Sequence, residues 1–319
     1  RDRLDPAITE FPQKIFYVGY DVTDLLQKGG NALVVVLGDV WSHQSQLMEG
    51  GGIYGDPCLL LQLEITYKSG VKQYVVSDSG WKTFYSPTTM NNIYVGETYD
   101  GRMEQPGWDL YGYCENGWFQ AVPDNAPKGK LAPQLMPPIR VTQELKPAAV
   151  TMPQDGVFVF DMGKNFAGYV RLKVFGTPGN EVVMRFGEAV TPDGMVDVDS
   201  SGVFHIRGVQ TLRYIFGKTG EIVWEPRFAY FGFRYVELTG AHANVTAETL
   251  TGLKVHTDLA PKADFVCAMP ILNQMQELFR NTFTSNIHGI PTDCPAREKC
   301  GWTGDANIIA DTSMVMWDA

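Results

Sequence analysis

The sequence predicts two antiparallel β domains followed by the first helices of an all-α domain. Three observations support this fold class. Apolar and polar residues alternate with a period of two early in the chain, short strand-like runs separated by turn residues fill its middle, and apolar residues recur at helical spacing after about residue 258. A length of 319 residues exceeds one ordinary domain, so two or three domains are expected.

The first β domain is predicted over residues 1–124. Residues 61–67 alternate between apolar and polar side chains, which predicts a half-buried strand, and residues 71–76 return after a turn, which predicts a hairpin. Upstream, the apolar run of residues 32–37 predicts a strand buried on both faces.

The second β domain is predicted over residues 125–258. It opens on a segment rich in Pro and Lys, residues 123–150, which is interpreted as a linker or an extended connection. Short strand-like runs follow, with turn signals such as Gly163-Lys164-Asn165 between them, at residues 157–160, 169–175, 181–187, 212–216 and 233–238. Short strands at this spacing predict an antiparallel β-sandwich.

The last segment, residues 259–319, predicts two helices joined by a loop. Apolar residues recur at helical spacing after Pro270, which suits a first helical turn, and this helix is expected to end near His288. A second helix is predicted over residues 305–317. One αα-hairpin cannot bury its apolar face alone, so we expect the sequence to stop inside a larger all-α domain.

The composition excludes several classes of partner. The formal net charge is -10, whereas nucleic acid and anionic membrane surfaces attract basic proteins. A neutral ligand such as a sugar is easier to reconcile with this charge. No apolar run reaches transmembrane length, and five Cys without metal-site spacing predict free thiols. No cofactor is predicted, and the compartment stays open.

The loop from Asp293 to Asp305 concentrates groups that can carry chemistry. It holds three carboxylates, two cations and one indole: Asp293, Glu298 and Asp305; Arg297 and Lys299; and Trp302. Simple structural roles are available for some of them, since Asp305 could cap the second helix and the two cations could form a solvated loop face. Glycoside hydrolysis needs one carboxylic acid to protonate the leaving oxygen and one carboxylate to activate water or attack. Spacing alone does not select the acid among the three carboxylates.

The motif Asp-Cys-Pro-Ala-Arg-Glu-Lys-Cys-Gly-Trp-Thr-Gly-Asp in this loop resembles the signature of bacterial α-L-rhamnosidases, family 78 of the glycoside hydrolases. The resemblance extends over nearly the whole chain. Segments that resemble the amino-terminal sandwich of that family are residues 19–26, 38–41 and 104–109, and those that resemble its second sandwich are residues 160–168, 224–228 and 232–236.

The resemblance implies a set of β-sandwich modules that lead into an (α/α)6 toroid, and an inverting hydrolase that removes terminal α-L-rhamnose from a glycoside or polysaccharide. It implies that Glu298 is the general acid and that Asp293 and Asp305 hold hydroxyls of the rhamnose ring. It further implies that Trp302 lines the sugar pocket and that Arg297 orients the acid or the substrate.

The general base of this family lies on a later segment of the toroid, so the resemblance places it beyond Ala319. The start of the chain also enters the first sandwich partway through its usual pattern. We therefore expect the 319 residues to be a fragment at both ends and to lack hydrolytic activity by themselves.

Three alternatives stay open at this stage. The chain could be a carbohydrate-binding protein without catalysis, or a related toroid glycosidase that acts on another sugar. A metal site could form from Asp293, Cys294, Cys300 and His288, although the thiols lack standard zinc spacing, and no metal is predicted there. Structural calcium on a β domain, the oligomeric state and the natural aglycone are left undecided.

Overall fold

The computed structural model describes residues 2–41, 55–124, 128–202, 209–241 and 244–318, and over these ranges the chain is mainly β with two helices near its end. The predicted multidomain, mostly β organisation with a helical end is confirmed at this level. No helix in the described ranges is long and apolar enough to cross a membrane.

The first part of the chain carries short strands. They are β1 (Lys14–Tyr17), β2 (Gln62–Thr66), β3 (Lys72–Val76), β4 (Lys82–Thr83), β5 (Thr88–Asn92), β6 (Gly96–Asp100) and β7 (Phe119–Gln120). The predicted hairpin is confirmed, because β2 and β3 pair antiparallel with Gln62 opposite Val76 and Thr66 opposite Lys72. Strands β4 and β7 form a second small antiparallel pair.

The prediction of a doubly buried strand at residues 32–37 is wrong. These residues form no strand, and the Leu33 and Leu37 side chains are 45% and 44% exposed. An apolar run becomes a buried strand only where neighbouring strands pair its backbone and other layers cover both faces. Within the described part of the chain, no strand pairs with this run.

The remaining strands begin shortly after residue 128. They are β8 (Lys130–Pro133), β9 (Ile139–Leu145), β10 (Ala149–Gln154), β11 (Val157–Gly176), β12 (Glu181–Gly187), β13 (Ala189–Val190), β14 (Val196–Asp197), β15 (Thr211–Ile215), β16 (Gly220–Trp224), β17 (Phe231–Thr239) and β18 (Leu250–Thr257). Ten of the described strands form one large sheet in the order β5-β6-β15-β12-β17-β11-β18-β9, with β10 and β16 also paired to β11. Its pairs are antiparallel, as predicted, except for the parallel pair of β6 and β15.

Strand β11 corrects one detail of the prediction. The two expected strands at residues 157–160 and 169–175 are one strand of 20 residues, and the expected turn at Gly163 is a bulge within it. Gly163 has a φ of +80°, and its N–H donates to Asp161, whose carboxylate also accepts two hydrogen bonds of 2.8 Å from Arg234 on β17. The chain therefore bends without leaving the sheet, and the second half of β11 pairs with β18 and β16.

The Pro-rich segment is more structured than a linker. Residues 123–150 contain β8, which pairs in parallel with β1, and β9, which pairs with β18 at the edge of the large sheet. In the described part of this segment, the prolines lie at strand ends or between strands, where no ladder hydrogen bond is lost. The predicted boundary at residues 124/125 adjoins residues 125–127, which are outside the described ranges, and it stays a prediction.

An aromatic core holds the large sheet together. Its fully buried side chains include Phe160, Phe166, Phe186, Phe231 and Phe233, and the Phe166 and Phe233 rings lie 4.6 Å apart. Each buried Phe of this kind contributes roughly 1.5–3 kcal/mol relative to an exposed one. The sheet is therefore a rigid base for the segments that pack on it.

Helices α1 (Pro270–Ser285) and α2 (Thr303–Met316) form the predicted hairpin. Phe283 and Trp317 pack at 4.5 Å between ring centroids in a small shared core. Other apolar side chains of both helices are more than half exposed: Ile271, Met275, Leu278, Ile308, Met314 and Val315. Helix α1 is fixed to the sheet by Asn281, which accepts a hydrogen bond of 3.0 Å from Lys254 and donates one of 2.8 Å to the Asn165 carbonyl.

Candidate active site

The loop between the two helices is closed at its base by backbone hydrogen bonds. The Asp293 N–H donates to the Cys300 carbonyl at 3.0 Å, and Asp293 Oδ1 accepts the Cys300 N–H at 2.9 Å. Thr292 N–H donates to the Asn286 carbonyl at 2.8 Å just outside this pair. Asp293 therefore holds residues 293 and 300 together, a pair of hydrogen bonds called the Asp293 staple below. The segment between them, residues 294–299, is the excursion of the loop.

One side of this excursion packs against the large sheet. An added Cβ on Gly232 of β17 would lie 2.6 Å from Pro295 Cγ and 3.3 Å from the Ala296 Cβ. Ala296 is 2% exposed. A side chain at position 232 would therefore push the loop away from the sheet, so the absence of a side chain there permits the close approach.

Glu298 lies on the other part of the excursion and is partly buried. Its Oε2 accepts a hydrogen bond of 2.9 Å from the Trp302 indole N–H, and Trp302 is 57% exposed. The Glu298 backbone lies between two thiols, since its N–H donates to Cys294 Sγ at 3.2 Å and its carbonyl accepts from Cys300 Sγ at 3.3 Å. The structure thus brings Glu298 and Trp302 together at the accessible side of the loop.

The two thiols are free, and their surroundings keep them protonated at neutral pH. Burial raises the pKa of both Cys294 and Cys300 above the ordinary value for a thiol. For Cys300, the nearby carboxylates of Asp293 and Glu298 raise the pKa further. Both sulfurs therefore act as weak hydrogen-bonding groups in the loop.

The other two predicted substrate residues are placed differently. Arg297 donates a hydrogen bond of 2.9 Å to the Ser200 carbonyl, which ties this part of the loop to the β region. Asp305 is exposed in the first turn of α2, where the helix dipole favours its charge. The N-cap position belongs to Trp302, so the interpretation of Asp305 as the cap is wrong.

Lys299 departs most from its expected role. The prediction of a solvated side chain is wrong, because Lys299 is 2% exposed. Its Nζ donates to the Ile93 carbonyl at 2.7 Å and to the Tyr230 carbonyl at 2.8 Å, and it lies 4.4 Å from the centre of the Tyr230 ring. Burial lowers the pKa of Lys299 to about 7.

The surroundings of Lys299 include Tyr230 and Val255, which the sequence did not reveal as part of this region, and His288, which it offered only as a metal ligand. The Tyr230 ring stacks on the His288 imidazole at 3.9 Å, and His288 Nε2 lies 2.8 Å from the Val255 carbonyl. Burial lowers the pKa of His288 to about 3, so this imidazole is neutral at pH 7. Val255 lies 33 residues from His288, and Tyr230 and Ile93 lie 69 and 206 residues from Lys299, so no local sequence signal could have found these contacts.

The metal-site alternative has no support from this geometry. His288 directs Nε2 to a backbone carbonyl, and Asp293 directs Oδ1 to the Cys300 N–H. In the described part of the chain, no group of three or more His, Cys, Asp or Glu side chains is arranged to hold a metal ion. The arrangement offers instead one accessible carboxylate beside an indole on a loop whose other side is anchored.

Three protein-family models match consecutive parts of the chain. They are described as the alpha-L-rhamnosidase N-terminal domain, which matches residues 1–143, the bacterial alpha-L-rhamnosidase concanavalin-like domain, which matches residues 151–256, and the bacterial alpha-L-rhamnosidase 6 hairpin glycosidase domain, which matches residues 261–319.

Curated proteins with similar sequences are named alpha-L-rhamnosidase. One from Formosa agariphila is 34% identical over 99% of this chain and 34% of its own length. Another, from Streptomyces avermitilis, is 35% identical over 98% of this chain and 30% of its own length. The chain therefore spans about a third of the length of the relatives it matches.

Solved structures with the same fold carry the same name. An alpha-L-rhamnosidase from Dictyoglumus thermophilum superposes with a TM-score of 0.89 at 34% identity, over 100% of this chain and 35% of that chain. The Streptomyces avermitilis enzyme, solved in complex with L-rhamnose, superposes with a TM-score of 0.89 at 31% identity, over 100% of this chain and 31% of that chain.

Proposed function

The chain belongs to the bacterial α-L-rhamnosidase family, family 78 of the glycoside hydrolases, and we propose that it is part of an inverting enzyme that removes terminal α-L-rhamnose from a glycoside or polysaccharide. The observation that carries this proposal is the loop of residues 293–305, which holds the family motif and presents the Glu298 carboxylate beside the Trp302 indole.

Glu298 is the proposed general acid. It is accessible on one side, and the loop that carries it is fixed at its base and against the sheet, as a proton donor needs if it is to meet one oxygen of a bound substrate. Trp302 supplies an aromatic wall for the sugar. Its bond to Glu298 orients the carboxylate.

Asp293, Asp305 and Arg297 are the proposed substrate-holding residues. Asp293 uses Oδ1 within the loop, so its other carboxylate oxygen is the one proposed to meet a sugar hydroxyl. Asp305 is exposed on the first turn of α2. Arg297 positions the loop through Ser200 in this structure, so its contribution is proposed to be orientation of the acid.

The helical hairpin is proposed to begin an (α/α)6 toroid, with domain limits at residues 1–124, 125–258 and 259–319. Exposed apolar side chains on both helices support further helices packing against them. The bent strand β11 and the aromatic core on its sheet support a sandwich for the second domain. The general base is proposed to lie on a later helix, across a water from Glu298.

The decisive experiment is Glu298→Gln in the full-length protein. Loss of the acid proton should reduce turnover of methyl α-L-rhamnoside, whose leaving group needs a proton, by about 10²–10⁴-fold. Rhamnose binding, measured by calorimetry, should be retained because the side chain keeps its size and its acceptor oxygen. Unchanged turnover would exclude the acid role, and equal loss of binding and turnover would count against it.

The substrate class is tested on the same preparations with a panel of aryl glycosides. We expect the wild-type protein to cleave the α-L-rhamnoside in preference to the arabinoside and the glucuronide. Cleavage of either of the latter without cleavage of the rhamnoside would assign the site to another sugar.

A further inference from the structure

The structure places a buried lysine next to the proposed acid. Lys299 directly follows Glu298, yet its amino group lies inside the protein on the Ile93 and Tyr230 carbonyls, at 2.7 and 2.8 Å. With only 2% of its surface exposed, it is far more buried than a lysine normally is. On the basis of the proposed function, we infer that Lys299 is a positioning residue that fixes the Glu298 carboxylate by tying its neighbouring peptide to the β region.

The backbone makes this tie effective. Lys299 has a φ of +52°, in the left-handed region that a non-glycine residue adopts only under local constraint. The chain therefore turns at Lys299, and the residue after the turn, Cys300, is held by Asp293 at 2.9 Å. The peptide that follows Glu298 is thus fixed by its neighbour's side chain on one side and by the Asp293 staple on the other.

The residues that accept the Lys299 hydrogen bonds lie in a tightly packed cluster. Ile93, Tyr94 and Tyr230 are each no more than 2% exposed and belong to one packed cluster. The Nζ atom lies 4.4 Å from the Tyr230 ring centre and 5.4 Å from that of Tyr94, so the rings enclose it. Tyr230 in turn stacks on His288, which is anchored to β18 through the Val255 carbonyl. A displacement of Lys299 would therefore disturb three segments at once.

A second buried lysine provides a matched comparison. Lys254 is 7% exposed and donates a hydrogen bond of 3.0 Å to Asn281 on α1. Burial lowers its pKa to about 8. Both lysines join the β region to the helical segment, but only Lys299 is covalently adjacent to Glu298. Removing Lys254 should thus reproduce the loss of a buried amino group without moving the acid.

The test uses a ratio that reports on proton donation. The full-length wild type, Lys299→Met, Lys299→Gln and Lys254→Met are assayed on 2,4-dinitrophenyl α-L-rhamnoside, whose leaving group departs without a proton, and on methyl α-L-rhamnoside, whose leaving group needs one. The kcat ratio of the two substrates does not depend on how much of each preparation is folded, so it separates misplacement of the acid from loss of folded protein.

For Lys299→Met we expect kcat on the methyl rhamnoside to fall by about 10²-fold or more and kcat on the dinitrophenyl rhamnoside to fall by less than about tenfold. KM should change by less than about threefold, since the residue does not touch the sugar. Lys299→Gln keeps two N–H donors on a shorter side chain, so its ratio should shift in the same direction by at least about threefold. Lys254→Met should leave the ratio at the wild-type value.

An unchanged ratio in Lys299→Met, or in Lys299→Gln if the Met variant does not fold, would overturn the inference and reduce Lys299 to a structural role. An equal shift in Lys254→Met would do the same. A wild-type protein that cleaves neither substrate would instead refute the proposed function, so the two failures are distinguishable.

Discussion

The large sheet and the helical hairpin differ in how completely they bury their apolar side chains. Phe160, Phe166 and Phe233 are no more than 1% exposed within the sheet's core, whereas Leu278 and Ile308 on the helices are 67% and 80% exposed. The loop with Glu298 lies between these regions, and its buried contacts go to the sheet through Lys299, Pro295 and Ala296. The contacts that hold the loop with Glu298 therefore come from the β region, although the loop joins two helices.

The largest effect is expected in the core of the sheet. Phe233→Ala should lower the free energy of unfolding by about 3–5 kcal/mol, because it removes a ring packed at 4.6 Å against Phe166 and leaves a cavity. Chemical denaturation of the full-length protein measures this. A loss below about 1 kcal/mol would show that the sheet is not the rigid part of the molecule.

The next effect tests whether the helical face is covered in the full-length protein. If further helices cover Leu278, Leu278→Asp should lower the free energy of unfolding by at least about 2 kcal/mol, because a carboxylate would replace an apolar contact with those helices. Val122→Asp, at a position 82% exposed in the β region, is the matched control and should change stability by less than about 0.5 kcal/mol. Equal effects of the two substitutions would count against a toroid built on this hairpin.

A smaller effect is expected where the loop meets the sheet. Gly232→Ala should lower the free energy of unfolding by about 1–3 kcal/mol, because the new methyl group would lie 2.6 Å from Pro295 Cγ and displace the loop. Gly19, which has open space around it and, like Gly232, no positive φ, serves as a control for the general cost of replacing glycine. If Gly232→Ala lowers kcat no more than Gly19→Ala does, the contact with the sheet does not set the position of Glu298.

The smallest effect, counted per pH unit, is a dependence of stability on pH. Burial lowers the pKa of Lys299 to about 7, so between about pH 7 and pH 10 the unfolded chain binds the proton that the folded protein has released. Stability should therefore rise with pH across this window, by at most about 1.4 kcal/mol per pH unit from this residue. The groups facing the amine are Tyr94, Tyr230, Cys294 and His288.

Urea unfolding at pH 7 and pH 9 measures this dependence as a difference between wild type and Lys299→Met. The subtraction removes contributions from groups that titrate in both proteins. A neutral amine has two N–H groups, which matches the two carbonyls that accept from Lys299. An identical pH dependence in the two proteins would show that Lys299 stays charged when buried.

Features with a local signal could be predicted from the sequence. The hairpin of β2 and β3 and the helix beginning at Pro270 follow from periodicity and turn residues within a few positions. The resemblance selected Glu298, which the structure places beside Trp302. The sequence predicts a turn at Gly163, where the structure has a bulge. A glycine with a φ of +80° fits either structure, and the bulge depends on the Arg234 partner on β17, which is distant in sequence.

Features set by distant partners could not be predicted. Residues 32–37 have the composition of a buried strand, but burial depends on neighbours that the run itself does not specify. Lys299 lies in a polar loop, where a lysine is normally solvated. Its burial depends on two backbone carbonyls, and no pattern of side chains in the sequence identifies these acceptors. The roles of Asp293, Arg297, Trp302 and Asp305 toward a sugar stay predictions.

The tie made by Lys299 also has a consequence for the order in which the chain folds. Its two acceptors are 206 and 69 residues earlier in the sequence, so the contact closes long loops and gains nothing until both earlier segments are in place. During synthesis from the amino terminus, the β regions can fold first and present the packed cluster of Ile93, Tyr94 and Tyr230 to the loop that follows them. The position of Glu298, the proposed acid, would then be fixed only after both earlier segments have folded.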